Sequence, residues 1–341
     1  MGITRLAART LTCIFRIFPG RNADMNGGRH PRELFAAGFD PSSGRWIAMD
    51  RTRPAAVERL TLVTYNIWFG EHRWRERLRH LLDLVARCEP DIVALQEVTP
   101  GQLAHVLAAD WIRRDFLVSD ISGATLRPHG VVLLSRLPMR DVVLCSLPSR
   151  KDRKLLIASI DTGNERISVG NLHLESSPSN QLLRLAQLKR ALSTQSCAEH
   201  ALLMGDFNFD PRSGAEQSRL GRDYTDLWSA LSSGRGAGHT VDSTRNRMRF
   251  LYKRKHKHVR FDRILLRSAG PGWVPRSIRL LGTEPISPAM PETYPSDHFG
   301  LTATIERQSE TTESARNQRK ASVRSDLPTF AQAAGKPQHH G

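Results

Sequence analysis

The run Ala201-Leu202-Leu203-Met204 is apolar and gives way to Gly205-Asp206-Phe207-Asn208 and then Phe209-Asp210. It reads as a short buried strand entering a tight turn, with polar side chains where the apolar run stops. Gly205 permits the turn and the close approach of another group. Asp206 and Asn208 stand two apart, so in extended backbone their side chains leave the same face. A carboxylate beside a neutral amide suits the orientation of a water and contact with a phosphoryl oxygen. An Asx turn closing a strand is the ordinary alternative. The choice rests on whether other strands end the same way.

Several do. Leu60 to Trp68 is rich in β-formers, carries Asn66 near its end and stops at Phe69-Gly70. Trp74, Leu78, Leu81, Leu82 and Val85 then fall at helical spacing until Pro90. Asp91 to Val98 is a second strand, apolar until Gln96 and Glu97, and a helix over 101–109 follows. Short strands are expected over 130–135, 142–146, 154–161 and 166–175, with Asp161-Thr162-Gly163-Asn164 as a hairpin turn. A helix over 179–195 places Leu182, Leu185, Leu188 and Leu192 on one stripe. A helix over 224–231 and strands over 259–267, 277–281 and 299–306 complete the pattern. Strands mixed with helices and hairpins indicate an α/β domain without strict βαβ winding.

With 341 residues and 39% hydrophobic content, the chain can bury a substantial core. We divide it into a basic, mostly irregular N-terminal extension (1–57, with 27–54 rich in Gly, Pro and Arg), an ordered domain (58–307) and a polar tail expected to be disordered (308–341). Lys and Arg number 50 against 34 Asp and Glu, a net charge of +16 that favours a polyanionic partner. Cys13, Cys88, Cys145 and Cys197 have no repeated spacing, so neither a zinc site nor a disulfide framework is expected. No apolar run reaches membrane-spanning length. The expectation is a soluble intracellular monomer, in nucleus or cytoplasm. The basic start (1–24), acid-free from Met1 to Ala23, reads either as an organelle-targeting segment or as an upstream extension before Met25.

The polar strand ends collect into one set: Asn66, Glu97, His173, Asp206, Asn208, Asp262, Asp297 and His298. Burying such groups without partners is costly, so strands that share sheets would bring them to one cleft. Their types suit phosphodiester hydrolysis. Glu97 with Asp297 offers the hard oxygens that Mg²⁺ or Mn²⁺ prefers. Asp206 can align or deprotonate a water, and Asn66, Asn208, His173 and His298 can donate to phosphoryl oxygens. Asp262 can hold His298 by one ring nitrogen. Singly, each has a plain structural explanation, such as a surface carboxylate, a satisfied histidine, or Asp262 paired with Arg260 or Arg263.

In order, Thr64-Tyr65-Asn66-Ile67, Leu95-Gln96-Glu97-Val98, Leu172-His173-Leu174-Glu175-Ser176, Gly205-Asp206-Phe207-Asn208, Phe261-Asp262-Arg263-Ile264 and Ser296-Asp297-His298-Phe299-Gly300 resemble the endonuclease/exonuclease/phosphatase superfamily. The resemblance spans roughly Leu60 to Glu306. It implies an α/β four-layer sandwich of two mixed β-sheets flanked by helices, with a Mg²⁺-dependent site at one edge. It also implies phosphodiester cleavage, and the branch it most resembles cuts 5′-phosphotyrosyl bonds at DNA ends. By matching position, Glu97 is the metal ligand, with Asp297 and Asn66 beside it. Asp206 and Asn208 position the water, Asp262 pairs with His298, and His173 contacts phosphate. Arg153, Arg260 and Ser296 are the candidate substrate-binding residues.

The chain also departs from that branch. Trp68 stands where it carries an acid, Ser177-Pro178 replaces Thr-Arg, and Phe209-Asp210-Pro211 replaces Leu-Arg-Asp. Val241 stands where a tryptophan lines the substrate groove. A family member acting on RNA, general DNA or phospholipid and inositol substrates is therefore a second hypothesis. A nucleic-acid-binding protein with a decayed site is a third, and it predicts missing ligands. The run Lys253-Arg254-Lys255-His256-Lys257-His258 reads either as a nucleic-acid groove or as a solvated basic loop.

Overall fold

Most of the long strands are buried along their whole length, and their successive side chains point to opposite faces, which sorts them into layers. The computed structural model describes residues 31–52, 54–221, 223–231, 236–270 and 272–308. The basic start and the tail from residue 309 lie outside the described residues. In chain order, β1 (Arg32–Leu34), β2 (Ala37–Asp40) and β3 (Arg45–Ala48) lead to β4 (Arg59–Asn66), α1 (Trp74–Ala86) and β5 (Ile92–Val98). Helices α2 (Pro100–Ala108) and α3 (Asp110–Asp115) precede β6 (Leu117–Val118), β7 (Gly130–Ser135), β8 (Met139–Ser146), β9 (Lys154–Asp161) and β10 (Arg166–His173). A 3-10 turn (Pro178–Asn180) opens α4 (Gln181–Thr194), followed by β11 (His200–Asp206), α5 (Gly214–Leu220), β12 (Thr225–Asp226) and α6 (Leu227–Leu231). The chain closes with β13 (Val241–Asp242), α7 (Arg247–Lys253), β14 (His258–Val259), β15 (Asp262–Ser268), β16 (Trp273–Leu281) and β17 (Gly300–Arg307).

One sheet has the order β1-β8-β9-β10-β11-β15-β12 and a second the order β16-β17-β4-β5-β7-β6-β2-β3, with β13 and β14 as a separate ladder. Pairs β4/β5 and β10/β11 are parallel, and their neighbours run antiparallel. Between the sheets, Leu60, Leu62 and Ala94 meet Leu156, Val169, Leu202, Met204 and Ile264. The intervening Val63, Tyr65, Leu95 and Val132 turn outward onto Leu78, Leu81, Leu103 and Val106 of α1 and α2. On the far side, Leu155, Ile157, Leu203 and Leu265 turn outward onto Leu188 and Ala191 of α4. Each fully buried leucine of this kind contributes about 2 kcal/mol. The outcome is helices, sheet, sheet, helices: a four-layer α/β sandwich.

Four expectations need correction. The stretch 27–54, read as mostly irregular, supplies three strands over 32–48 that finish an edge of each sheet: β1 on β8, and β2 with β3 beyond β6. Arg51 ties it down, its Nη1 donating to the carbonyls of Asp115 (2.7 Å) and Arg136 (2.8 Å). The leucine stripe of α4 only partly marks its inner face: Leu182 is 81% exposed, while Leu188 is buried beside Arg184, Gln187 and Ala191. Thr225 and Asp226 form a strand on β15 before the helix begins at Leu227. Cys197 is disulfide-bonded, whereas Cys88 and Cys145 are free thiols.

Candidate active site

Parallel and antiparallel register brings the polar strand ends together. His173, the last residue of β10, stands opposite Asp206, the last of β11, and Asp206 stands opposite Asp262, the first of β15. In the other sheet Asn66 ends β4 opposite Gln96 of β5. A buried amide bridge locks the two sheets just beneath these ends. Gln96 Nε2 donates to Asn171 Oδ1 (2.9 Å), and Asn171 Nδ2 donates to the carbonyls of Leu95 and Val132 (3.0 and 2.8 Å). Across the gap, Asn66 Nδ2 donates to Asp206 Oδ2 (3.0 Å).

Local backbone aims the side chains. Asn208, at φ 54°, turns its N–H onto Asp206 Oδ1 (2.9 Å) and donates its own Nδ2 to the Leu174 carbonyl (3.0 Å). Glu97 sits at φ 61°, where the β5/β7 ladder skips from Gln96 to Val98. A side chain held in the left-handed region costs of order 1–3 kcal/mol, and such strain gathers at functional positions. The bulge swings Glu97 toward the cluster, where Oε2 accepts from Phe69 N (3.3 Å) and Oε1 lies 3.9 Å from His173 Nε2. Trp68, at φ 58°, is buried with Met248, Tyr294 and Phe299.

Asp262 Oδ2 lies 2.8 Å from His298 Nδ1. A carboxylate can only accept, so that ring nitrogen carries the proton. Burial opposes the imidazolium, but Asp262, and after it Asp206 and Asp297, outweigh burial and push His298 up to about 10. His173 behaves oppositely. Burial first, then Arg153, His129 and His298, hold it well below the usual histidine value. Arg153 Nη1 donates to its Nδ1 (2.9 Å), which leaves the proton on Nε2, 3.4 Å from Asp206 Oδ2.

The carboxylates are short of positive charge. Burial and then Asp262 push Asp206 up to about 7, and burial and then Asp297 raise Glu97. Among the described residues, the His/Cys/Asp/Glu group with ligand atoms within 4.8 Å of one another is Asp206, Asp262 and His298. This is not the set expected from the sequence. Its imidazole nitrogen is committed to Asp262, so it makes a hydrogen-bonded ion pair better than a metal cage. A hard divalent cation would fit the other side, where Glu97 and Asp297 bring carboxylate oxygens close enough to raise Glu97; the Asn66 amide oxygen there already accepts from Trp68 N (3.1 Å).

The remaining candidates divide. Arg153 is buried at the cluster, and one arm of it is taken up by His173. Arg260 is drawn away: its Nη1 bonds both oxygens of Asp226 (2.9 and 2.7 Å) and its Nη2 donates to Ser229 Oγ (3.2 Å). Ser296 Oγ donates to the Asn66 carbonyl (2.6 Å) and accepts from His298 N (3.2 Å), bracing the loop that carries Asp297. Sequence reasoning missed Asn171 and Thr240. Thr240 Oγ1 accepts from the N–H groups of Phe261 and Asp262 (3.0 and 3.1 Å), fixing the entry to β15. Val241, in place of the groove tryptophan, is buried with Val259 and Phe261.

A model of the Endonuclease/Exonuclease/phosphatase family matches residues 63–298. Tyrosyl-DNA phosphodiesterase 2 of Homo sapiens is 28% identical over 255 residues, 72% of this chain and 68% of that protein. The protein of that name from Mus musculus is 28% identical over 254 residues, 72% of this chain and 66% of its own length. A crystal structure of D. rerio TDP2 complexed with single strand DNA product superposes with a TM-score of 0.63 at 24% identity, covering 73% of this chain and 99% of that one. Truncated Caenorhabditis elegans TDP2 gives 0.61 at 23% identity, covering 73% and 97%. These two superpositions speak for the fold.

Proposed function

The chain belongs to the endonuclease/exonuclease/phosphatase family, and from that membership we propose that it is a divalent-cation-dependent phosphodiesterase that removes 5′-phosphotyrosyl adducts from DNA ends. The observation that carries the reading is the meeting of Asn66, Glu97, His173, Asp206 and the Asp262–His298 pair at one end of two sheets. Relatives named tyrosyl-DNA phosphodiesterase 2 support the choice of adduct, and the net charge of +16 suits a polyanionic substrate.

Asp206, held by Asn66 and Asn208 N, is placed to align the attacking water and take its proton. His173 presents a fixed Nε2–H to a phosphoryl oxygen. His298, charged by its contact with Asp262, presents its Nε2–H where negative charge grows on the phosphoryl group or the departing tyrosyl oxygen. Glu97, with Asp297 and Asn66, would hold Mg²⁺, or Mn²⁺ in its place. When bound, that cation supplies Lewis-acid stabilisation of the phosphoryl oxygens. The protein acts as a monomer on DNA ends.

A second reading, a phosphodiesterase for other nucleic-acid ends, is favoured by Val241, which is buried where the resemblance calls for an exposed tryptophan. Both are tested by hydrolysis of a 5′-phosphotyrosyl oligonucleotide with Mg²⁺ and with EDTA, beside a plain duplex, an abasic duplex and a phosphoinositide. Metal-dependent tyrosine release faster than any other cleavage is expected. Cleavage of another substrate alone would establish the second reading, and no turnover at all would refute both.

A further inference from the structure

Helix α7 brings a cation to the edge of the catalytic cluster and leaves two of its buried donors without a hydrogen-bond partner among the described residues. Asn246 caps the helix by accepting from Arg249 N (3.0 Å) and donates its Nδ2 to the Ser296 carbonyl (2.8 Å). The first turn is thereby tied to the segment that carries Asp297 and His298. That tie aims Arg249 at Asp297, with Nη1 3.9 Å from Oδ2. The separation is too long for a hydrogen bond. Nε and Nη1 of Arg249 are buried and have no hydrogen-bond partner among the described residues.

Lys257 approaches from the segment between α7 and β14. Its Nζ lies 4.3 Å over the Phe261 ring, and that ring is 6.4 Å from the ring of His298. Burial first, then the charge of Arg249, hold Lys257 below the usual lysine value. Two cations thus repel one another beside His298, and one carries unanswered donors. Buried donors left unpaired and like charges set close together both cost free energy, and one anion between them would relieve both.

We propose that Arg249 and Lys257 form a second phosphate subsite, holding the phosphodiester next to the scissile one. The inference rests on the reading of the site as a nucleic-acid phosphodiesterase and adds how the strand is held beside it. The guanidinium offers spare N–H groups to phosphate oxygens, and Lys257 adds a point charge steadied on Phe261. An end with no neighbouring phosphate forgoes both contacts.

The test uses a 5′-phosphotyrosyl dinucleotide whose internucleotide linkage is either native phosphate or an uncharged methylphosphonate. With the wild-type protein, the methylphosphonate is expected to lower kcat/KM about 10-fold. Arg249→Met and Lys257→Met are expected to lower kcat/KM for the native linkage while adding little to the methylphosphonate loss. A merely structural role for Arg249 as a counter-ion of Asp297 predicts equal losses on both substrates and would overturn the proposal. Binding of the matching 5′-phosphorylated dinucleotides, measured by calorimetry, reads the subsite without turnover. Equal affinity of the wild-type protein for the two linkages overturns the subsite. Tighter binding of the native linkage without any hydrolysis supports the subsite and refutes the proposed activity instead.

Discussion

His173 and His298 lie on either side of Asp206 and hold opposite charge states for opposite reasons. His173 takes a hydrogen bond from a guanidinium, which can only donate, so its Nδ1 lone pair is occupied and it serves only as a donor through Nε2. His298 gives its Nδ1 proton to Asp262 and stays charged. Environments that drive two titratable groups apart in this way separate their roles in catalysis. The pH profile follows. Asp206 must lose its proton to act, so activity rises with pH through about 7, at lower pH when a bound cation adds its charge. His298 must keep its proton, so activity falls as pH climbs through about 10. Removing the partner by Asp262→Asn leaves burial to dominate, and the alkaline limb is expected to move down toward neutrality. At pH 8 the loss in kcat/KM should be roughly 100-fold or more. A profile of kcat/KM against pH checks this, and an alkaline limb that stays in place would contradict the assignment. Stability carries the same sign. The folded His298 value lies above the ordinary 6.5, so the stabilisation is complete below 6.5 and lost as pH rises through about 10.

The strands hold these side chains in place, and β11 does so through Gly205. This residue sits at φ +136° opposite Leu172, and a Cβ built there would fall 2.0 Å from the Leu172 carbonyl oxygen. Relief would require β10 and β11 to part at His173 and Asp206. Gly205→Ala is therefore expected to cost about 3 kcal/mol or more in a urea titration, with activity lost in parallel. Gly214→Ala, at the open start of α5 with nothing within 4 Å, serves as the tolerated control. A Gly205→Ala protein as stable as this control would mean that the close strand pairing is not needed. At this scale the sequence is legible where period and composition agree. Strands β4, β7, β9 and β11 announce themselves by apolar runs ending in a polar residue, and β5 by a run that turns polar at Gln96 and Glu97. Strands β1 to β3 do not, because three or four residues beside Gly38 and Gly44 carry no measurable period and owe their form to the sheet edges they join. Helix α4 misleads for another reason. Its inner face mixes Leu188 and Ala191 with polar groups, Arg184 bonded to Glu216 and the Glu175 carbonyl, and Gln187 to Glu175 N. Hydrophobic spacing then catches Leu188 on the inner face but also Leu182, which faces outward. Partners distant in sequence, such as Arg153 with His173 or Asn171 with Gln96, leave no local trace, although each residue lies in or beside a visible strand.

Over the whole molecule the net charge of +16 is the most distinctive property, and its effect on function depends on where the cations lie. Lys253 closes α7, and Lys255 follows in the loop before β14; both are exposed. They stand on the same arm as Arg249 and Lys257 but outside the buried cluster, so they can meet a nucleic-acid backbone without touching the reacting groups. Each cation that neutralises a phosphate adds about 0.7 to the slope of log affinity against log salt for a single strand. Replacing both Lys253 and Lys255 by Ala is therefore expected to lower that slope by roughly 1.4. KM for an oligonucleotide should rise at moderate salt while kcat stays unchanged. Binding isotherms of a single-stranded oligonucleotide across a salt series measure the slope directly. An unaltered slope would show that this basic run is a solvated loop and that the strand leaves the site across another face. A lowered slope with unaltered kcat would trace a path for the backbone from the Asp262–His298 pair outward along α7. Surface charge would then gather the polymer, and the buried strand ends would do the chemistry.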